Sequence, residues 1–194
     1  MALPTYISRE EYLRMERQSD IKHEYFHGEI FAMSGASEEH NLITSSTHAA
    51  LYPLALKRGC KIYPSDLRVR IPATGLYTYP DISIVCGTPQ FEDDEVDTLL
   101  NPTIIIEVLS PSTEKYDRGK KFQHYRTLES LQEYILISQD SVRVEHFVKQ
   151  ESQWLLLDAN GLDSALTLPS IDGTVMLRNI YEQVSFDSEE GLHS

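Results

Sequence analysis

Two apolar runs in the middle of the chain predict strands that are buried on both faces. The first, residues 79–86, opens after a proline and carries one acid, Asp81, near its start. The second, residues 103–109, is apolar except for Glu107. Continuous β-branched runs are typical of strands covered on both sides. Because side chains alternate along a strand, Glu107 shares a face with Ile105, where a lone carboxylate is costly unless a cation compensates it.

The hydrophobic and capping patterns elsewhere predict an alternation of helices and strands. Ser8 opens a capping box, which predicts a helix over 9–18, and Ser37 as N-cap predicts a second helix over 37–57. A basic helix is expected over 112–128. Strands are expected at 24–33, as two strands hinged at a His-Gly pair, and at 61–63, 66–72, 133–137 and 142–148 (as an exposed edge). A further strand at 154–157 could pair with 142–148 as a meander.

Four further segments complete this interpretation. Residues 73–78 are expected to form a turn, and the acidic segment 87–102 an exposed loop of variable conformation. Residues 177–184 are expected to form a short helix or strand. Residues 185–194 are expected to be a frayed tail. The pattern as a whole predicts one α/β domain over residues 1–194.

Composition fits a globular protein large enough to bury a core. The chain has 194 residues, of which 41% are hydrophobic and 24% charged. It contains no apolar run long enough for a membrane helix, and its N-terminus lacks the pattern of a secretory signal. Cys60 and Cys86 lack metal-ligand spacing, and Cys86 is interpreted as a small core residue. The cytoplasm is therefore the expected compartment.

The net charge of −13 counts against a nucleic-acid-binding protein, because attraction to phosphates dominates such affinity. The charges are unevenly distributed, however. Residues 91–100 hold five acids and no base, whereas residues 115–126 hold five bases and one acid. Residues 57–70 also hold five bases and one acid. A local basic face can still attract a polyanion.

Asp81 and Glu107 together suggest a divalent metal site. Magnesium prefers oxygen ligands and keeps several waters, so one or two protein carboxylates are sufficient. A bound metal lowers the pKa of its water and neutralises charge that develops on a phosphate. A nearby lysine can then orient the nucleophile or stabilise the transition state. Paired with an arginine, on the other hand, Glu107 would be only a buried structural acid.

Other polar residues have simpler interpretations as well as functional ones. His23 and His27 would be metal ligands only on a helix, and the neighbouring glycine favours turn histidines instead. His40 falls on the first turn of the second helix, where it either caps the helix or contacts a site. Asp66 shares a strand face with two arginines, which a salt bridge would explain.

Several motifs resemble one family. They are Glu24-Tyr25-Phe26-His27-Gly28-Glu29-Ile30, Ser65-Asp66-Leu67-Arg68-Val69, Tyr79-Pro80-Asp81-Ile82-Ser83 and Glu107-Val108-Leu109-Ser110-Pro111-Ser112-Thr113, followed by Asp117, Lys121 and Tyr125. This pattern resembles the Uma-type restriction endonucleases of the PD-(D/E)XK nuclease superfamily, over about residues 12–147.

The resemblance implies a restriction-endonuclease-like α/β fold, in which a central mixed sheet is flanked by helices and the catalytic acids lie on adjacent strands. It implies that Asp81 and Glu107 bind magnesium or manganese through their side chains, with the Val108 carbonyl as a further ligand. Glu24 would supply an extra carboxylate. The implied reaction is metal-dependent hydrolysis of phosphodiester bonds in DNA.

The chain departs from the superfamily pattern at the catalytic lysine. That lysine normally stands two residues after the glutamate, where this chain has Leu109. It is interpreted as having moved to Lys121 on the following helix, where Asp117 and Tyr125, four residues to either side, share its face and orient it. Lys120 is the alternative, about 100° away on the helix. An ordinary Asp–Lys pair on an exposed helix would explain the same spacing.

Two other functions remain open from the sequence. A nuclease-like domain without activity could serve as a nucleic-acid-binding or regulatory module, which the missing lysine position and the net charge of −13 favour. No nucleophile elbow, phosphate-binding glycine loop or cysteine–histidine signature supports another hydrolase or a purely structural protein. By analogy with restriction-like nucleases, a homodimer is expected.

Overall fold

The computed structural model describes residues 6–186. This part of the chain contains five α-helices and thirteen strands. They are α1 (Arg9–Glu16), β1 (His23–Phe26), β2 (Glu29–Ala32), α2 (Glu38–Lys57), β3 (Cys60–Pro64), β4 (Arg68–Ile71), β5 (Leu76–Thr78), β6 (Ile82–Cys86), β7 (Thr98–Leu99), β8 (Ile104–Leu109), α3 (Glu114–Tyr116), α4 (Phe122–Tyr125), β9 (Glu133–Ser138), β10 (Arg143–Gln150), β11 (Gln153–Asn160), β12 (Ala165–Leu168), β13 (Gly173–Met176) and α5 (Leu177–Ile180).

Both predicted N-caps are present. The Ser8 side chain accepts a hydrogen bond from the Glu11 backbone, and the Glu11 carboxylate accepts one from the Ser8 backbone, which completes the capping box of α1. Ser37 likewise accepts from the backbone N–H of His40 at the start of α2. The turn between β1 and β2 places His27 and Gly28 at positive φ, as a tight hairpin requires.

The central sheet is mixed, as predicted. It has six strands in the order β11-β10-β9-β8-β6-β3, in which β8 and β9 are parallel and the other neighbours antiparallel. A five-stranded sheet, β2-β1-β5-β4-β7, lies beside it, and β12 and β13 form a small hairpin. All six residues of β8 are buried, which confirms a strand covered on both faces.

One segment carries the chain from one sheet to the other. Residues 76–78 form β5 of the five-stranded sheet, and residues 82–86 form β6 of the six-stranded sheet. The residues between them are Tyr79, Pro80 and Asp81. Proline has no N–H to donate to a ladder, which suits a point where strand pairing is interrupted. Asp81 therefore stands where the two sheets meet.

Several expectations about elements were wrong. Residues 76–78 form a strand rather than part of a turn. Strand β10 pairs with β11 and is therefore not an edge, and β12 and β13 had not been predicted. The basic helix is not continuous: α3 and α4 are joined by a π-helical turn at Asp117–Lys121. Of the expected tail, Phe186 packs against Tyr181, and residues 187–194 lie outside the described residues.

Three expectations about side chains were also wrong. Arg68, one of the two arginines expected to pair with Asp66, is instead buried, and it donates hydrogen bonds to the hydroxyl groups of Thr98 and Tyr79. The acidic loop is not loose, because ion pairs with arginines fix it. Cys60 and Cys86 are not separate thiols: they face each other on the adjacent strands β3 and β6 and form a disulfide.

None of the helices within residues 6–186 combines the length and the hydropathy that crossing a membrane would require.

Candidate active site

Asp81 and Glu107 come together because β6 and β8 pair antiparallel. Ile82 is opposite Ile106, so the residue before β6 lies beside Glu107. The Asp81 carboxylate accepts a hydrogen bond of 2.7 Å from the backbone N–H of Val108, the next residue of β8. This bond fixes the side chain of Asp81 against the strand that carries Glu107.

Glu107 lies on the buried face predicted for it. Ile105 and Leu109 pack in one core cluster, and Ile104, Ile106 and Val108 in another on the opposite side of the sheet. The Glu107 side chain is buried, and Oε1 accepts a hydrogen bond of 2.8 Å from the Tyr125 hydroxyl. Lys121 Nζ lies 2.9 Å from the same oxygen. The cation that a buried glutamate needs is therefore this lysine.

Two further carboxylates lie near the ammonium group of Lys121. Its Nζ is 3.4 Å from Asp117 Oδ1 and 3.6 Å from Glu24 Oε1. Glu24 comes from β1 of the other sheet, where its carboxylate also accepts a hydrogen bond from the hydroxyl of Thr78. Lys121 itself is 6% exposed. Lys120, by contrast, is exposed to solvent, so the structure places Lys121 and not Lys120 beside the two acids.

The π-helical turn between α3 and α4 directs the side chains of Lys121 and Asp117 towards the interior of the protein. Both are buried, at the two ends of a turn that is wider than an α-helical one. The backbone carbonyl of Asp117 accepts a hydrogen bond from the hydroxyl of the buried Tyr134. Single π-turns within helices occur often at functional sites. The predicted alignment of Asp117, Lys121 and Tyr125 on one face is present, although not on a regular helix. Tyr125 does not orient Lys121 as expected, because its hydroxyl donates to Glu107 instead.

Carboxyl groups outnumber ammonium groups in this cluster. Burial alone would lower the pKa of Lys121, but the surrounding carboxylates outweigh it and raise that pKa, so the lysine is protonated. Burial raises the pKa of Glu107 well above its usual range, and although Lys121 opposes the rise, Asp117 and Asp81 add to it. Burial likewise raises the pKa of Asp117. Glu107 and Asp117 therefore hold a proton more readily than ordinary acids do, although Lys121 lies beside them.

His40 also contacts the cluster. Its Nε2 lies 3.2 Å from Asp81 Oδ2, and its Nδ1 is buried without a hydrogen-bond partner among the described residues. Burial alone would lower the pKa of His40, but the hydrogen bond and charge of Asp81, together with the Val108 backbone, outweigh it and raise that pKa. The sequence left a cap and a site contact open for this residue, and the structure shows the contact.

The other polar candidates lie away from the cluster. His23 Nδ1 is 2.9 Å from Glu16 Oε2, in a network that holds α1 to β1. His27 is exposed in the turn between β1 and β2. Asp66 is exposed and pairs with Lys22. His27 is thus a turn histidine, as expected. His23 instead lies on β1, and Asp66 pairs with Lys22 rather than with the two arginines of its predicted strand.

The donor groups fit a divalent metal. The cluster offers carboxylate oxygens, which magnesium and manganese prefer, and a cation would offset the repulsion among its crowded carboxyl groups. Within residues 6–186, no group of three or more histidine, cysteine or acidic side chains is arranged to hold a metal ion. Magnesium does not need one, because water fills most of its coordination sphere. Asp81 and Glu107 remain the predicted ligands.

The model of a protein family described as "Putative restriction endonuclease" (Uma2) matches residues 9–177 of the chain. Two proteins of Synechocystis sp. strain PCC 6803, both described as uncharacterized, are similar to it in sequence. One is 39% identical over 83% of this chain and 92% of its own length. The other is 40% identical over 93% of this chain and 94% of its own length.

One solved structure is similar in fold. The crystal structure of a protein from Anabaena variabilis, described as a "putative nuclease belonging to DUF820", aligns with a TM-score of 0.70 and 22% identity. The alignment covers 91% of this chain and 98% of that one. The two chains therefore share a fold, which confirms the fold class expected from the sequence.

Proposed function

Because this chain belongs to the Uma2 family, whose description is "Putative restriction endonuclease", we propose that it is a metal-dependent endonuclease that hydrolyses phosphodiester bonds in DNA. The observation that carries the proposal is the buried cluster in which Lys121 lies 2.9 Å from Glu107, with Asp81, Asp117 and Glu24 around them. A fold alone can serve many functions, so the proposal depends on this site.

We assign magnesium or manganese to Asp81 and Glu107, with the Val108 carbonyl as a further ligand. When bound, the metal supplies an activated water and offsets negative charge on the phosphate. Asp81 is presented by its hydrogen bond from the Val108 backbone, and Glu107 by its hydrogen bond from Tyr125. Glu24 adds negative charge on the side of the five-stranded sheet.

Lys121 has the role of positioning the attacking water or the scissile phosphate. It is protonated, and Asp117 and Glu107 hold its ammonium group in place. A fixed cation in a site from which water is largely excluded stabilises charge that develops on a phosphate more strongly than a mobile surface lysine does. Lys121 would thus take the role of the usual superfamily lysine, at whose position this chain has Leu109.

DNA is the proposed substrate despite the net charge of −13. The helical segment that carries Lys121 also exposes Lys115, Lys120 and Arg126 to solvent, and these can contact phosphates beside the site. We propose the cytoplasm as compartment, since the substrate is found there. Disulfides are rare in that compartment, so the Cys60–Cys86 disulfide is the feature that counts against it. We also propose a homodimer, in which each copy cuts one strand.

A binding or regulatory module without activity is the second candidate function. The leucine at the usual lysine position favours it. The retention of Asp81, Glu107 and Lys121 in a buried cluster favours the enzyme, because a buried ion pair adds little stability to a fold that has no use for it.

The test is cleavage of plasmid and single-stranded DNA with manganese or magnesium. We expect Asp81→Ala and Lys121→Ala to reduce cleavage at least about 100-fold, because each removes a group from the reacting centre. Lys120→Ala is the matched control and keeps cleavage at saturating DNA. Unfolding in urea verifies that each variant is folded.

Cleavage that survives Lys121→Ala but not Asp81→Ala would leave the nuclease and refute the lysine assignment. A wild-type protein that neither cleaves DNA nor binds manganese in calorimetry would favour the binding module instead.

A further inference from the structure

The edge strand β11 is an exposed apolar surface. It is the last strand of the six-stranded sheet, with β10 on one side and no neighbouring strand on the other among the described residues. Leu155, Leu156 and Leu157 are 44%, 50% and 46% exposed. Since successive side chains of a strand point to opposite faces, both faces of this edge are apolar.

The opposite edge of the same sheet is protected in the usual ways. Strand β3 is short and carries an exposed lysine, Lys61, and a proline, Pro64, both of which discourage pairing with another strand. Strand β11 has eight residues and contains neither lysine nor proline. A long apolar edge without such protection is the kind that pairs with another chain.

Every second residue of β11 has a backbone N–H and C=O that do not pair with β10. The N–H of Lys149 on β10 donates to Gln132 on the β9 side, so Lys149 and its partner Trp154 form a pair that is not hydrogen-bonded. Hydrogen-bonded and other pairs alternate along an antiparallel ladder. The N–H and C=O groups of Trp154, Leu156 and Asp158 therefore point outwards from the sheet.

We propose that two copies of the chain associate through β11, which pairs antiparallel with its own copy across a two-fold axis. The two six-stranded sheets then become one. This strand would form the interface of the homodimer that is part of the proposed function, and to that extent the inference rests on the proposed function. Its test requires no measurement of cleavage.

Charge does not oppose a second copy at this strand. The chain as a whole has a net charge of −13, so two copies repel each other over most of their surface. In β11 the only charged residue is Asp158, and Arg143 donates two hydrogen bonds to its carboxylate. The strand is thus a nearly neutral surface on an acidic molecule, and an antiparallel copy satisfies its outward groups with identical ones.

The outward groups also fix a register. Centring the axis on Leu156 places the two copies of Leu156 opposite each other as a hydrogen-bonded pair. Leu155 of one copy then faces Leu157 of the other, and Asp158 faces Trp154 rather than a second Asp158. This register brings all the exposed leucines of the strand together and avoids contact between like charges.

Molecular mass in solution tests the proposal. We expect sedimentation to show a dimer for the wild-type chain. Leu156→Lys places two ammonium groups at the axis and should raise the dissociation constant at least about 100-fold, because like charges brought together at an interface cost several kcal/mol. Leu56→Lys is the matched control, since Leu56 is an exposed leucine on α2 (63%), and it should leave the dimer unchanged.

Hydrogen exchange supplies a second measurement that needs no variant. The outward amides of Trp154 and Leu156 should become more protected as protein concentration rises. A monomeric wild type, a dimer that survives Leu156→Lys, or protection of these amides that does not depend on concentration would each overturn the proposal. A dimer without nuclease activity would leave this interface standing and refute the proposed function alone.

Discussion

The orientation of Asp81 depends on two groups from different elements. The Val108 N–H of β8 donates to Oδ2, and the His40 ring of α2 lies 3.2 Å from the same oxygen. Both contacts involve one oxygen of the carboxylate, which leaves the other for a metal. Loss of a group that orients a metal ligand typically lowers metal affinity about 10- to 100-fold.

Replacing His40 should therefore weaken metal binding. We expect His40→Ala to lower the affinity for manganese about 10- to 100-fold, as loss of such an orienting contact commonly does. Isothermal calorimetry on the DNA-free protein measures it. His48→Ala, about two turns further along α2, is the control and should bind as the wild type does. Equal affinities for the wild type and His40→Ala would show that Val108 alone is sufficient to orient Asp81.

At the scale of elements, the acidic loop is fixed to α1 and β4. Arg17 Nε lies 2.8 Å from Asp97 Oδ2, and the buried Arg68 reaches the same oxygen at 3.0 Å. Burial alone would raise the pKa of Asp97, but hydrogen bonds from Arg17 and Thr98 and the charges of both arginines outweigh it and lower the pKa from 3.8 to about 2. Ion pairing thus orders a segment whose composition suggests a loose loop.

The lowered pKa gives Asp97 a pH-dependent contribution to stability. A carboxyl whose folded pKa lies below its unfolded one stabilises the fold above the unfolded value, and this stabilisation is lost as the pH falls from about 4 towards 2. We expect Asp97→Asn to lower the free energy of unfolding by about 1 kcal/mol at pH 7 and to differ less from the wild type at pH 2. Urea unfolding at several pH values measures both quantities.

Asp94→Asn is the control for this prediction, because Asp94 is exposed in the same loop. It should unfold as the wild type does throughout. A constant difference between Asp97→Asn and the wild type from pH 7 to pH 2 would mean that the charge of Asp97 does not stabilise the loop.

At the scale of the whole molecule, the distribution of charge matters more than its sum. The acids of residues 91–100 include Asp93 and Asp97, which face Arg17, whereas the exposed bases Lys115, Lys120 and Arg126 belong to the segment that follows β8. The site therefore has cations beside it in a molecule that is acidic overall. Such a local patch can bind a polyanion while most of the surface repels it.

The affinity for DNA should therefore fall as the salt concentration rises, and it should depend on a few cationic side chains. We expect Lys115→Ala and Arg126→Ala each to reduce the slope of log affinity against log salt by about 1. Fluorescence anisotropy with calcium in place of magnesium measures this. Lys57→Ala is the control, since Lys57 lies about 26 Å along α2 from His40, at 1.5 Å per residue. Unchanged slopes in the first two variants would place the DNA elsewhere.

The sequence by itself determined the elements on which the site is built. The apolar runs established strands β6 and β8, alternation established the face of Glu107, and the caps at Ser8 and Ser37 established where two helices begin. These features depend on neighbours in the chain, so local pattern is sufficient to predict them. The motifs around Asp81 and Glu107 likewise established the family.

Only the tertiary structure decided which residues meet. Glu24, His40, Asp81, Glu107 and Lys121 come from separate parts of the chain and converge through strand register, a change of sheet and a π-helical turn. The same holds for buried Arg68, the fixed acidic loop and the pairing of Cys60 with Cys86. Each depends on a partner far along the chain, whose position follows from packing and not from local propensity.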